Sequence, residues 1–88
     1  MNKNSKKQMY TQCMLKRNLG SLSLIDVCWI PEEFAIVGKV LKLKKNENEE
    51  WENNWVVLRI YGTASEDKVL KMEWDYRKFD WIEEQGNI

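Results

Sequence analysis

Apolar and polar residues alternate along much of this chain, and turn-forming residues interrupt the alternation at short intervals. "MYTQCMLKR", Met9 to Arg17, places Met9, Cys13 and Leu15 on one side and Gln12 and Lys16 on the other, as a half-buried strand does. "NLGS", Asn18 to Ser21, has the residues of a tight connection, with Gly20 able to take a positive φ. "LSLIDVCWI", Leu22 to Ile30, is β-branched and aromatic and reads as a second strand, although Asp26 falls in line with Leu24 and Cys28.

The next segment, "PEEFAIVG", has the marks of a short helix over 31–37. Pro31 suits a first helical position, Glu32 and Glu33 favour the positive end of the helix dipole, and Gly38 suits a left-handed C-terminal residue. Phe34, Ala35 and Val37 would form its apolar face. "KVLKLKK" then resumes as a strand with its lysines toward solvent. "NENEEWENN", Asn46 to Asn54, is too polar for a core element and reads as the tip of a hairpin. "WVVLRIY", Trp55 to Tyr61, is the strongest strand in the chain, and Gly62 to Ser65 reads as a turn from which Ser65 caps a helix beginning at Glu66.

Two patterns overlap in the last third. Leu70, Met72, Trp74 and Tyr76 alternate with Lys71, Glu73, Asp75 and Arg77, which favours a strand. Val69, Met72, Tyr76 and Phe79 also fall at helical spacing. The expected fold is therefore mainly β: a small, SH3-like, strongly bent barrel of four to five strands with one short helix near 31–37. The alternative is an α+β fold with a C-terminal helix over 66–80. One globular domain is expected over 9–82, with a flexible tail at 1–8 and a second tail at 83–88.

Composition narrows the class. With 88 residues there is room for one domain, and its ten aromatics, five of them tryptophan, supply apolar area for an economical core. The zero net charge conceals an asymmetry: residues 1–45 carry nine Lys/Arg against three Asp/Glu, and residues 46–88 carry five against eleven. Either the molecule has a basic and an acidic face, or the two halves interleave and neutralise each other, which is the favoured reading. Two distant cysteines and no histidine argue against a zinc site, and no metal or other cofactor is expected. No apolar run approaches the ~20 residues of a membrane span, and the basic start lacks the apolar core of a signal peptide. A cytoplasmic protein with two reduced, core-facing thiols is the resulting expectation.

Four pieces, "YTQCMLKR", "WIPEEFAIVGKVLKL", "NWVVLRIYG" and the pair Asp75-Tyr76, occur in an order that resembles a group of short tailed-bacteriophage proteins without assigned activity. The resemblance covers roughly residues 9–77. It implies a phage origin, hence a bacterial host cytoplasm, and a usual start near Met9. The chain departs from that pattern in its acidic insert over 45–54 and in the acidic "FDWIEEQ", where a basic stretch is expected.

Chemistry offers little purchase. Without histidine the commonest general base is missing, Cys28 is better explained as a buried strand residue, and Glu32 and Glu33 diverge in direction, so no enzyme is expected. Two binding surfaces remain. Trp51, set among Glu47, Glu49, Glu50 and Glu52, and Trp81, in "FDWIEE", are candidates for anchoring a protein partner on an acidic surface, with a role as lids on the core as the alternative. Lys39, Lys42, Lys44 and Lys45, with Lys16 and Arg17 nearby, are candidates for nucleic acid, set against the plainer role of lysines protecting an edge strand. The neutral total charge makes nucleic acid the second choice. The expected function is a phage-encoded binding module that engages or inhibits a host or phage protein. A homodimer is also compatible with the pattern.

Overall fold

Why the alternating segments become a sheet is visible in their register. The computed structural model describes residues 8–70, 77–79 and 81–85. Strand β1, Met9–Leu19, is central: it pairs antiparallel with β2, Leu22–Pro31, on one side and with β4, Glu52–Ser65, on the other. β3, Val40–Lys44, joins the far side of β4, and β6, Trp81–Glu84, pairs antiparallel with β3. A short β5, Arg77–Lys78, runs parallel to the end of β2. The order is β5-β2-β1-β4-β3-β6. Five strands thus pair antiparallel in a mainly β sheet that is not closed, its outermost members being β5 and β6.

One face of this sheet carries the core. Cys13, Leu15, Cys28, Ile30, Leu41, Leu43, Trp55, Val57, Phe79 and Ile82 form a single buried cluster, in which the register sets Cys13 opposite Cys28 and Leu43 opposite Ile82. On the other face the described residues form one smaller buried cluster. There Tyr10, Trp29 and Val69 pack together beneath helix α1, Glu66–Leu70, with Ala64 at their margin. Both faces are possible along one strand because its side chains alternate.

The β1–β2 turn follows the sequence: Gly20 has φ +64°, beyond the comfortable range of a side-chain-bearing residue. Gly38 likewise has φ +92°. The expected helix over 31–37 is reduced to one 3-10 turn, Glu32–Phe34. Pro31 ends β2, buried and with ψ 139°, instead of opening the helix. Phe34 and Ala35 reach the core, but Val37 is 59% exposed, so the anticipated apolar face is only half formed.

Two further expectations are overturned. Gly62 to Ser65 is not a turn: β4 continues through it, pairing Gly62 with Gln12 and Ser65 with Met9. The strand accommodates this length by bending. Val57 and Arg59 oppose consecutive β1 residues, as do Ile60 and Gly62, leaving Leu58 and Tyr61 as the extra residues of two β-bulges. Glu83 and Glu84, expected in a tail, lie in β6, and the Gln85 backbone N–H donates to the Val40 carbonyl. Of the described residues in the alternative helix over 66–80, Glu66–Leu70 are helical and residues 77–78 are strand. Leu70, placed by the alternation in a strand, is helical, while residues 71–76 lie outside the described residues, as do residues 1–7 of the tail expected over 1–8.

Candidate functional site

The hairpin joining β3 to β4 and the strand β6 beside it bring the two candidate surfaces together. In β3, Leu41 and Leu43 face the core, so Lys42 and Lys44 project from the opposite face. Trp81 opposes Lys44 in the β3–β6 register, and Glu83 opposes Lys42. Trp51, at the end of the hairpin loop, lies over the same face. Its ring centroid is 5.1 Å from Lys42 Nζ and 4.9 Å from Lys44 Nζ. Lys44 Nζ is also 5.3 Å from the Trp81 ring centroid. One ammonium is thereby held between two indoles, in the range where a ring quadrupole attracts a cation.

Local geometry explains how Trp51 arrives there. The Asn46 side chain accepts the Asn48 N–H at 2.9 Å, and the Asn46 carbonyl accepts the Glu49 N–H at 3.1 Å, folding the loop into a tight turn. Lys44 Nζ donates to the Glu47 carbonyl at 3.4 Å. At the start of β4 a bulge intervenes between the Leu41–Trp55 and Leu43–Glu52 pairs, and Asn54 takes φ 68° within it. Gln85 clamps this irregularity: its Oε1 accepts the Asn54 N–H at 2.7 Å and its Nε2 donates to Asn54 Oδ1 at 2.6 Å.

The acidic candidates divide. Glu47, Glu49 and Glu50 are exposed around Trp51. Glu52 is committed to the fold, since its Oε1 accepts the indole N–H of buried Trp55 at 3.1 Å. Trp81 is 43% exposed, whereas Trp51 is half-buried beneath its lysine contacts. Neither is a lid on the core, because both rings lie against the face opposite to it.

The basic candidates divide as well. Lys42 pairs with Glu83 at 3.3 Å and Lys39 with Glu84 at 2.6 Å. The basic and acidic halves therefore interleave along the β3–β6 ladder. Lys16 and Arg17 are adjacent on β1 and so point to opposite faces. Arg17 Nε donates to the Asn53 carbonyl at 2.6 Å. Lys45 leaves the group altogether and, with Leu24, Asp26, Glu52 and Trp55, lines a cleft of ≈ 240 Å³ on the core side. That volume is below the roughly 300–1,000 Å³ of typical small-molecule sites. Sequence reading missed Glu83 and Gln85 as parts of this region, and only their proximity to β3 gives them a role.

Cys13 and Cys28 are both fully buried, unbridged thiols facing one another across β1 and β2. Burial pushes the Cys13 thiol up from 9.0 to about 11, because the thiolate loses hydration. Below pH 9 the thiol is neutral in both folded and unfolded chains, so stability is insensitive to it there. Between pH 9 and about 11 only the unfolded chain ionises, and stability falls as pH rises. Native protein at pH 8 is accordingly expected to resist a thiol-specific reagent that labels both cysteines in denaturant. Rapid labelling of Cys13 in folded protein contradicts that burial.

No group of three or more His, Cys, Asp or Glu among the described residues is placed to hold a metal ion. No described helix is long and apolar enough to cross a membrane. No protein-family model, curated protein or solved structure matches the chain.

Proposed function

We propose that this chain is a phage-encoded, non-enzymatic binding module of the bacterial cytoplasm, which engages or inhibits a host or phage protein through the aromatic surface on β3 and β6. The observation that carries the reading is the Trp51–Lys44–Trp81 stack, with Trp81 43% exposed and Glu47, Glu49, Glu50 and Glu83 exposed around it. A tryptophan already held by a cation loses little freedom on binding, and pre-organised aromatics are the residues that dominate interface energetics. The exposed carboxylates favour a basic partner and act chiefly on its rate of approach. The strongly bent, SH3-like arrangement expected from the sequence belongs to this proposal; the two bulges of β4 support the bend.

Nucleic acid is the less favoured ligand, because Lys39 and Lys42 are already paired with Glu84 and Glu83. The test is affinity capture from bacterial lysate with and without nuclease, repeated with Trp81→Ala. The expected result is a protein partner retained after nuclease and weakened about 30-fold or more by Trp81→Ala, equivalent to the ~2 kcal/mol of an interface anchor. The variant's melting temperature should stay near wild type. Loss of the partner on nuclease treatment, or wild-type binding by Trp81→Ala, overturns the proposal.

A further inference from the structure

Lys39 and Lys42 are each held by a carboxylate, whereas Lys44 forms no ion pair with a described residue. Its half-buried side chain is held instead by two indole rings, whose centroids lie 4.9 Å and 5.3 Å from Nζ, and by the Glu47 carbonyl at 3.4 Å. That hydrogen bond is longer than the roughly 2.7–3.2 Å of a strong N–H···O bond, so the rings are its main partners. An indole face attracts a cation through its quadrupole and makes no demand that the cation be lysine.

The surroundings suit a cation that comes from outside. Glu47, Glu49 and Glu50 are exposed on the adjoining loop, and none of them is in an ion pair with a described residue. An approaching positive group is therefore drawn toward Trp81, which is 43% exposed. Trp51 does not depend on Lys44 alone for its position. Lys42 Nζ lies 5.1 Å from the same ring and is itself paired with Glu83 at 3.3 Å. One wall of the site thus stays anchored when the Lys44 ammonium leaves.

We infer that an arginine of the protein partner replaces Lys44 between Trp51 and Trp81, an inference that rests on the binding surface proposed above. Lys44 is then a resident competitor. A partner's lysine gains little by the exchange, because it offers the same ammonium against one that is tethered beside the rings at high effective concentration. A guanidinium does better: it is planar, stacks on aromatic faces and gives up its hydration more readily than an ammonium. The displaced Lys44 ammonium is compact and strongly hydrated, so its return to water beside Glu47 costs little. The arrangement selects arginine over lysine, and Lys44 opposes binding although it lies at the centre of the surface.

Blocked tetra-arginine and tetra-lysine peptides, equal in charge, are titrated into the full chain by calorimetry, and the indole N–H resonances of Trp51 and Trp81 are followed by NMR. Tetra-arginine is expected to bind about tenfold tighter than tetra-lysine and to shift both resonances. Lys44→Gln should bind tetra-arginine about tenfold tighter still, with unchanged far-UV circular dichroism. Lys45→Gln makes the same change of charge at the core-side cleft and should alter the affinity less than about twofold. Equal affinity of the wild-type chain for the two peptides overturns the inference without recourse to a variant. So does a Lys44→Gln chain that binds tetra-arginine more weakly, or no more tightly than Lys45→Gln does. A thymidine oligonucleotide that shifts both indole signals where tetra-arginine does not also overturns it. If the peptide results fail while Trp81→Ala still loses the captured protein, the partner surface stands and the arginine exchange falls. A partner that Trp81→Ala still captures removes both.

Discussion

Trp55→Ala is expected to destabilise the fold by about 3–5 kcal/mol, the cost of removing a buried aromatic and leaving a cavity. Trp55 is only 5% exposed and packs in the main core cluster, opposite Leu41 in β3 and Arg17 in β1. The substitution also leaves Glu52 without the indole N–H that it accepts at 3.1 Å. A domain of this size shifts its melting temperature by roughly 4–8 °C per kcal/mol, so the expected fall is about 15–30 °C. Trp51→Ala provides the contrast. Its half-buried ring meets Lys42 and Lys44 on the opposite face, and such contacts contribute only about 0.5–1 kcal/mol each at accessible sites. A fall of less than 5 °C for Trp55→Ala, or a larger fall for Trp51→Ala, contradicts the placement of these two side chains.

The two tryptophans show what the sequence could reveal. Trp55 opens a run of β-forming residues, so its burial follows from local composition. Trp51 sits among glutamates and asparagines, and its neighbourhood offers only a choice between exposure and a lid. Its actual partners, Lys42 and Lys44, come from a strand whose lysines were expected to face solvent. The positive φ values of Gly20 and Gly38 were legible because turn geometry itself selects glycine. The bulges at Leu58 and Tyr61 were not, because the residues that oppose them lie more than forty positions earlier in β1. Gly62 to Ser65 was misread for the same reason: turn-like composition was overridden by pairing with Met9 to Gln12.

Charge was legible as a total and obscure as a pattern. Glu83 and Glu84 look like a solvated tail, yet their counterions are Lys42 in β3 and Lys39, the residue just before it. Exposed ion pairs of this kind contribute roughly 0–1 kcal/mol, so they do not explain why β6 docks. The apolar residue beside them does. "WIEE" offers one buried side chain, Ile82, and a single apolar residue in a polar stretch is too weak a signal to distinguish strand from tail.

That residue gives the second large effect. Ile82→Asp is expected to prevent stable folding, whereas Trp81→Asp one position earlier should change stability by about 1 kcal/mol. Ile82 is 8% exposed, lies opposite Leu43 and packs in the main core cluster, which also contains Phe79. Exchanging it for a carboxylate forfeits about 1.5–3 kcal/mol of apolar burial and adds several more for a desolvated charge. Small domains have about 5 kcal/mol of stability to lose, and the combined penalty exceeds it. Trp81 projects from the other face beside Lys44, where a carboxylate stays hydrated and exchanges a cation–π contact for an ion pair. Thermal melts followed by circular dichroism separate the cases. Equal tolerance at both positions means that 81–84 is not a strand of this sheet. Unfolding by Trp81→Asp with Ile82→Asp tolerated means that β6 is shifted by one residue, which would turn Ile82 outward and remove Trp81 from the proposed binding surface.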